Sequence, residues 1–436
     1  MADLDRRFRA LACAHAVSSY GTYLNLIALS LFAFEVTGGA FGVGVVMAVR
    51  LASGFLAGFA APRVAAVAGR RSMMVGADVA QAAAMTVLVV VAGDATVSLP
   101  LVAGVVVVLG AGNTLFSVAL RSSVPVMVGD ARRGEANGLL VTLRSFATVL
   151  GFASATPVVA VGGYAAAFAV NAASFVVSAA VLLIARPRVD VADRTNDVSG
   201  SADASSWSEN GGGLLRGLLG LPVVLIGMVL LRGVDALASS SHNVGLPVLA
   251  QETSPSEPAL MMTQFWASWA VGTLLAHQVL KRRRHTGGRV WDERGFAIGT
   301  CAMSVCFALA FTGLPGIALM LVALGAGLGD GYTEIIYTSR LQEAPDALRN
   351  RVFGISAAAE TAGFTVGAVS AAAALDVLPA WVVVGFFHGL AVCAASTLLL
   401  FLATRRRRGR HLSRSGADEG EDARAARTGT GPVPGS

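Results

Sequence analysis

The chain has 436 residues, of which 55% are hydrophobic and only 14% charged, and its mean hydropathy is +0.67. Soluble domains carry about 25% charged residues, so a soluble globular protein is excluded. A nucleic-acid binder is excluded too, because the formal net charge of +6 is not gathered into a basic stripe interleaved with aromatics.

Apolar runs of bilayer-crossing length predict twelve spans, at about 11–34, 40–61, 73–93, 98–120, 138–160, 164–185, 219–248, 259–280, 295–313, 316–338, 353–375 and 379–403. The first follows DRRFRALACAHAV, which has the charged and apolar parts of a signal peptide. The apolar run continues without a cleavage site, so it reads as a retained span. Its Ser18, Thr22 and Asn25 fall on one helical face. Span two carries Arg50 inside MAVRLASGFLAG. Asp78 in span three lies about 10 Å from the basic face and reads either as a cavity residue beside Gln81 or as a partner for loop arginines. Span four repeats Asn113, Ser117 and Arg121 at intervals of four, and span five holds Arg144 and Pro157.

Residues 188–213, rich in Ser, Asp and Gly, read as a flexible linker. They divide the chain into a six-helix bundle at 1–187 and a second at 214–403, followed by a disordered tail at 404–436 whose Arg405–Arg408 run suits anionic headgroups. Span seven places Arg232, Asp235, Ser239 and His242 on one stripe, span eight reads QFWASWAVG with Gln264, Trp266, Ser268 and Trp269, and span ten lines up Asp330, Glu334 and Tyr337. Glu360 lies in span eleven. The halves also repeat weakly: at an offset of 216, Gly138 matches Gly354, Arg144 matches Glu360 and Gly151 matches Gly367.

Every Arg and Lys outside the spans falls in alternate loops, which predicts that both termini face the cytoplasm. The polar stripes fall on spans one, four, seven and ten and predict one shared polar cavity, with helix–helix hydrogen bonding as the alternative. Charges inside the membrane must be paired, hydrated or protonated. Arg232 and Asp235 can pair within span seven. Asp330 and Glu334, one turn apart and like-charged, are candidates for carrying a proton, unless Glu334 reaches water or Arg340. Arg50 and Glu360 lie at roughly 18 and 14 Å from the basic face by helical rise, near enough in depth to pair if their helices are neighbours. Trp266 and Trp269 read either as a cavity edge for flat hydrophobic ligands or as interfacial anchors. Cys13, Cys301, Cys306 and Cys393 have no metal-ligand spacing, the histidines lack HExxH-like spacing, and there is no GxSxG elbow or nucleotide loop. The expectation is neither an enzyme nor an ATP-driven pump, with no metal.

The segments SYGTYLNLIALSLFAFEVTG, VNAASFVVSAAVLL and TSRLQEAPDALRNRVFGI resemble the major facilitator superfamily, and within it the drug:proton antiporters of the macrolide-efflux and enterobactin-exporter branch, over residues 5 to about 403. The resemblance implies an all-α fold of two six-helix bundles rocking about a cavity lined by spans one, four, seven and ten, with spans two and eleven facing each other. An Arg50–Glu360 pair is then expected to act as a conformational latch; the alternative is an Arg that binds an anionic substrate or tunes a carboxylate. Two family motifs are degraded. The loop after span two keeps Gly58, Arg63, Gly69, Arg70 and Arg71 but has Pro62 where an Asp is expected, so Asp78 is a candidate for the missing charge. Span five keeps Gly151 and Pro157, with its paired glycines displaced to Gly162 and Gly163. The implied function is secondary transport of an amphipathic small molecule, driven by the proton gradient with no other cofactor. The protein is expected to act as a monomer. The proton-coupling candidates are Asp330, Glu334, Asp235, Glu360 and Asp78. The alternatives are an importer or lipid transporter of the same fold, or a receptor that does not transport. A single Lys among many Arg, with Ala, Val and Gly dominant, points to a bacterial inner membrane.

Overall fold

In the computed structural model the described residues are 6–93, 97–129, 132–185, 223–285, 293–342 and 346–428. They form α1 (Arg6–Thr37), α2 (Ala40–Ala68), α3 (Arg70–Val91) and α4 (Leu99–Val128). The helical stretch Arg133–Ala185 is broken at Gly162 and Gly163, where Gly163 has φ 63°. That left-handed backbone suits glycine and divides the stretch into α5 (133–161) and α6 (164–185). Then follow α7 (Val223–Thr253), α8 (Pro258–His285), α9 (Glu293–Ala310), α10 (Gly316–Gln342), α11 (Asp346–Leu375) and α12 (Ala380–Thr428).

Among the described residues, ten helices are long and apolar enough to cross a membrane, with Glu135–Ala185 counted as one. Dividing that stretch adds one more, and α8, made more polar by Gln264, Ser268, Thr273 and His277, completes the set of twelve. The predicted linker at 188–213 lies outside the described residues. In the predicted disordered tail, α12 instead continues to Thr428; residues 423–427 read Ala-Arg-Ala-Ala-Arg, all strong helix formers.

Successive helices alternate in direction. All of the short connections at one end lack Arg and Lys, whereas the other, basic end carries Arg70, Arg71, Arg294 and Arg340. Small residues set the packing. A Cβ at Gly54 would come within 3.2 Å of the Gly110 carbonyl oxygen, so α2 and α4 meet almost backbone to backbone. In the same way Gly331 and Gly272 bring α10 against α8: a Cβ at Gly331 would lie 2.9 Å from the Thr273 carbonyl. The weak internal repeat has a structural counterpart. Gly151 lets α5 approach α1 at Tyr20, and Gly367 lets α11 approach α7 at Leu237.

The buried apolar residues divide by depth. Toward the end away from the basic face, one continuous core takes in residues of all twelve helices, from Leu24 and Val43 to Val384 and Phe387. Toward the basic end the cores are separate: one around Leu11, Met74 and Phe116, a smaller one around Phe8 and Val124, and one around Phe296, Tyr337 and Leu398. Helices α1–α6 and α7–α12 are therefore joined at one end and parted at the other. The space between them opens on the basic side.

Candidate functional site

Contacts between the two helix groups close the end away from the basic face. Thr156 Oγ1 on α5 and Thr263 Oγ1 on α8 are 2.8 Å apart. Phe152 stacks on Trp266 at 5.6 Å between centroids and meets Tyr23 edge-on at 5.3 Å. Gly44 of α2 lies against Ala368 and Ala372 of α11. Trp266 is buried here at the seam between the groups, so it is not an interfacial anchor. Trp269, half-buried, packs against it edge-on.

Below this floor the second helix group gathers charge. Arg232 on α7 is hydrogen-bonded and ion-paired to Glu334 on α10, lies 3.4 Å from Asp235 one turn along α7, and 3.6 Å from Glu360 on α11. Its guanidinium carbon also sits 5.6 Å from the centre of the Tyr337 ring. A chain of hydroxyls runs from Tyr337 through Ser356 (2.7 Å) to Glu360 Oε1 (2.8 Å). Asp330, a turn before Glu334, lies near the same arginine, beside the indole N–H of Trp269 and His277, without closing a hydrogen bond to Trp269. Glu334 and Glu360 are 48% and 36% exposed at the side chain and Arg232 only 15%, so the cluster has a wet rim and a buried root.

Within the predicted Asp330–Glu334 couple, Glu334 is ion-paired to Arg232 and Asp330 lies near the same arginine, while Arg340 pairs with Glu293 on α9 at 3.2 Å.

The expected Arg50–Glu360 pair does not form. Helices α2 and α11 are neighbours, as the resemblance implies, but α2 presents small residues to α11 and turns Arg50 into its own helix group. Rise per residue fixes depth; it says nothing about the direction in which a side chain leaves the helix. Arg50 instead lines a small polar pocket of about 10 Å³ together with Thr22, Asn25, Gln81, Asn113 and Asn171, with Leu109 and Phe175 as its apolar walls. The polar stripes therefore supply two sites, α1 and α4 serving this one and α7 and α10 the carboxylate cluster. Ser18 accepts the Thr22 hydroxyl at its carbonyl and Ser239 accepts the Asn243 amide in the same way; Ser117 is half-buried on α4.

Arg144 is exposed on α5 and donates to the Tyr23 hydroxyl at 3.0 and 3.2 Å. Arg71 donates to the Leu182 and Leu183 carbonyls at 3.1 and 3.0 Å, capping the last turn of α6. Gly69 turns the chain between α2 and α3 at φ 77°, with Arg70 next to it engaged in contacts of its own; Gly58 is half-buried and Arg63 exposed on α2. Asp78 does not replace the missing loop acid. Its carboxylate is fully buried beside Ser178 on α6 and neither oxygen has a hydrogen-bond partner. Pro157 is exposed in the body of α5.

One feature escaped sequence reading. His242 Nδ1 and His388 Nε2 are 3.1 Å apart, both rings buried, and His242 stacks on Phe307 at 3.8 Å. They are 146 residues apart in sequence, and nothing in either local stretch pairs them. His242 does fall at the end of the polar stripe on α7, which is the only signal the sequence offered.

A membrane-embedded, all-helical chain with a charged vestibule between two helix groups defines a polytopic transporter rather than an enzyme. The family model described as Major Facilitator Superfamily matches residues 11–368, and the chain belongs to that family: it is a secondary active transporter. Among curated proteins none matches the sequence. The solved structures it is similar to include the POT family transporter PepTSo, with TM-score 0.73 and 11% identity over 92% of this chain and 98% of that one. The nucleoside transporter NupG, as its D323A mutant, gives 0.65 and 14% over 91% and 99%. An auto-inhibited POT family peptide transporter gives 0.69 and 12% over 92% and 97%. At such identities the likeness is one of fold.

Proposed function

We propose that the protein is a proton-coupled exporter of amphipathic, cationic small molecules, of the drug:proton antiporter kind found in the macrolide-efflux and enterobactin-exporter branch. It would work by alternating access in a bacterial inner membrane with both termini in the cytoplasm. On that orientation the vestibule between the bundles opens inward.

The observation that carries the reading is the cluster around Arg232. With Asp235, Glu334, Glu360 and Asp330 all ionised, one positive charge faces four negative ones, +1 − 4 = −3. Uncompensated negative charge at membrane depth is costly, and protons or a bound cation relieve it. Protons and an organic cation would then compete for the same carboxylates, which is the exchange an antiporter needs. Half-buried Trp269, backed by the buried Phe152 and Trp266, offers its indole to the apolar part of such a cation. Asp78, buried without a partner, is the second candidate for a proton.

The test is reconstitution into vesicles with a pH dye inside and a panel of lipophilic cations, macrolides and aromatic polyketides outside. Compound-dependent proton flux that is lost in Glu334→Gln or Asp330→Asn supports the reading. Compound movement that persists in both variants moves coupling to Asp235, Glu360 or Asp78. Uptake in the opposite sense would favour an importer, and binding without movement would favour a receptor.

A further inference from the structure

The vestibule has two walls of opposite charge, and the cluster around Arg232 is only one of them. On the N-terminal side Arg121 of α4 and Arg144 of α5 are both exposed, within helices long and apolar enough to cross a membrane. Arg144 donates twice to the Tyr23 hydroxyl, which leaves three of its five N–H groups free. The two arginines lie close enough to repel each other, and both act on His15, whose ring stacks on Phe116 of α4 at 5.6 Å. Among the described residues no carboxylate is paired with either arginine. Asp78 is buried beside Ser178, and Glu35 stands at the other end of α1 against Tyr164. The carboxylate whose field reaches Arg144 is Glu334, on the opposite wall.

The weak internal repeat sharpens the contrast. Arg144 on α5 and Glu360 on α11 occupy matching positions of the two halves. Each lies two helical turns before the glycine that seats its helix, Gly151 against α1 and Gly367 against α7. Two walls built on one plan therefore carry opposite charges at one depth. Charge at membrane depth must be compensated, and neither wall compensates its own. A substrate that is only a cation would be held on one side and repelled on the other.

We infer that the transported cation also carries an oxyanion. The substrate is an amphipathic zwitterion, with its ammonium group at Glu334 and Glu360, its carboxylate or a like oxyanion at Arg144 and Arg121, and its apolar body against Trp269. The free N–H groups of Arg144 suit a two-pronged bond to such an oxyanion. Held between the bundles, the zwitterion brings each wall the charge it lacks. This assignment deepens the proposed function and rests on it for the amine end.

The experiment uses the full-length protein purified in detergent and two fluorescent dyes with the same flat xanthene rings. One carries a free benzoate and is zwitterionic at neutral pH; the other is its methyl ester, a plain cation. Binding is followed by fluorescence polarisation, which needs neither a proton gradient nor movement. The wild type should bind the zwitterion about tenfold more tightly than the ester. Arg144→Gln should remove that preference by weakening the zwitterion while leaving the ester within about threefold, and Arg121→Gln should reduce it by about threefold. Glu334→Gln should weaken both dyes alike. Equal binding in the wild type, or a preference for the ester, overturns the zwitterion assignment and leaves the cation reading standing; so does a preference that survives both arginine variants. Equal weakening of the two dyes by Arg144→Gln overturns its role as the oxyanion partner. If neither dye binds the wild type, the assignment falls together with the function it rests on. Should Arg144→Gln fail to fold, Arg121→Gln decides, and an unchanged preference there overturns the proposal.

Discussion

Arg50 and Arg232 are the same residue type in membrane-spanning helices of the two bundles, yet their surroundings are opposites. Arg232 is crowded by carboxylates from three helices, whereas Arg50 faces amides and a hydroxyl in a cavity without an acid. A guanidinium in a bilayer must be compensated, and the two bundles meet that demand in different ways. Around Arg232 the acids exceed the cation, so the site takes up positive charge. Around Arg50 no acid is paired among the described residues, and neutral amides and a hydroxyl line the space beside it. Residue type alone does not decide a role; the charge left over after local pairing does.

The comparison is broken most severely at Arg232. Arg232→Met leaves Asp235, Glu334 and Glu360 without their cation. Because two of the three are partly in water, the loss of stability should be about 2–3 kcal/mol, below the figure for a fully buried pair. Transport should fall to background in vesicle assays. The deficit in unfolding midpoint should shrink as the pH is lowered, because protonated carboxyls need no cation; a deficit that grows on acidification would show that the acids are not the cause.

Glu334→Gln should keep the fold, since its side chain is half in solvent, while cutting compound-driven proton flux by about tenfold or more. Flux and unfolding midpoint measured on one preparation separate the two effects. Arg50→Met should leave vesicle transport within about threefold of wild type; a collapse of transport would place Arg50 among the substrate-binding groups and remove the contrast between the bundles. Thr156→Val is the mildest change. It loses one hydrogen bond across the closed end, about 0.5–1.5 kcal/mol, and should raise the labelling of a cysteine placed in the outer half of the cavity by at most about tenfold.

The sequence made some of this architecture plain and hid the rest. Span positions were legible because runs of apolar residues reflect the solvent of each segment directly, and the Gly162–Gly163 break appeared as a predicted loop at 161–163. The pairing of Arg232 with Asp235 was also legible, being one helical turn. Partnerships between helices were not. Asp330 and Glu334 read as a couple because they are adjacent on one helix, but the arginine that approaches them from α7 and ion-pairs with Glu334 could not be read from that spacing. Arg50 and Glu360 matched in depth, and the direction each side chain takes from its helix sent them to different partners. The histidine pair joins α7 to α12 across 146 positions, and no periodicity in either segment encodes that distance.

The glycine seam between α8 and α10 bears on how motion in this protein could be watched. With Gly272, Gly327 and Gly331 bringing the two backbones together, the pair behaves as a single stiff beam, and bending between them would force main-chain atoms into one another. Trp269 and Asp330 are mounted on that beam, one on each helix. An indole held at constant spacing from a carboxyl is a fluorophore with a fixed quencher, so in a variant whose sole tryptophan is Trp269, a change in emission during turnover would report the charge on Asp330 together with any withdrawal of Phe152 from the indole.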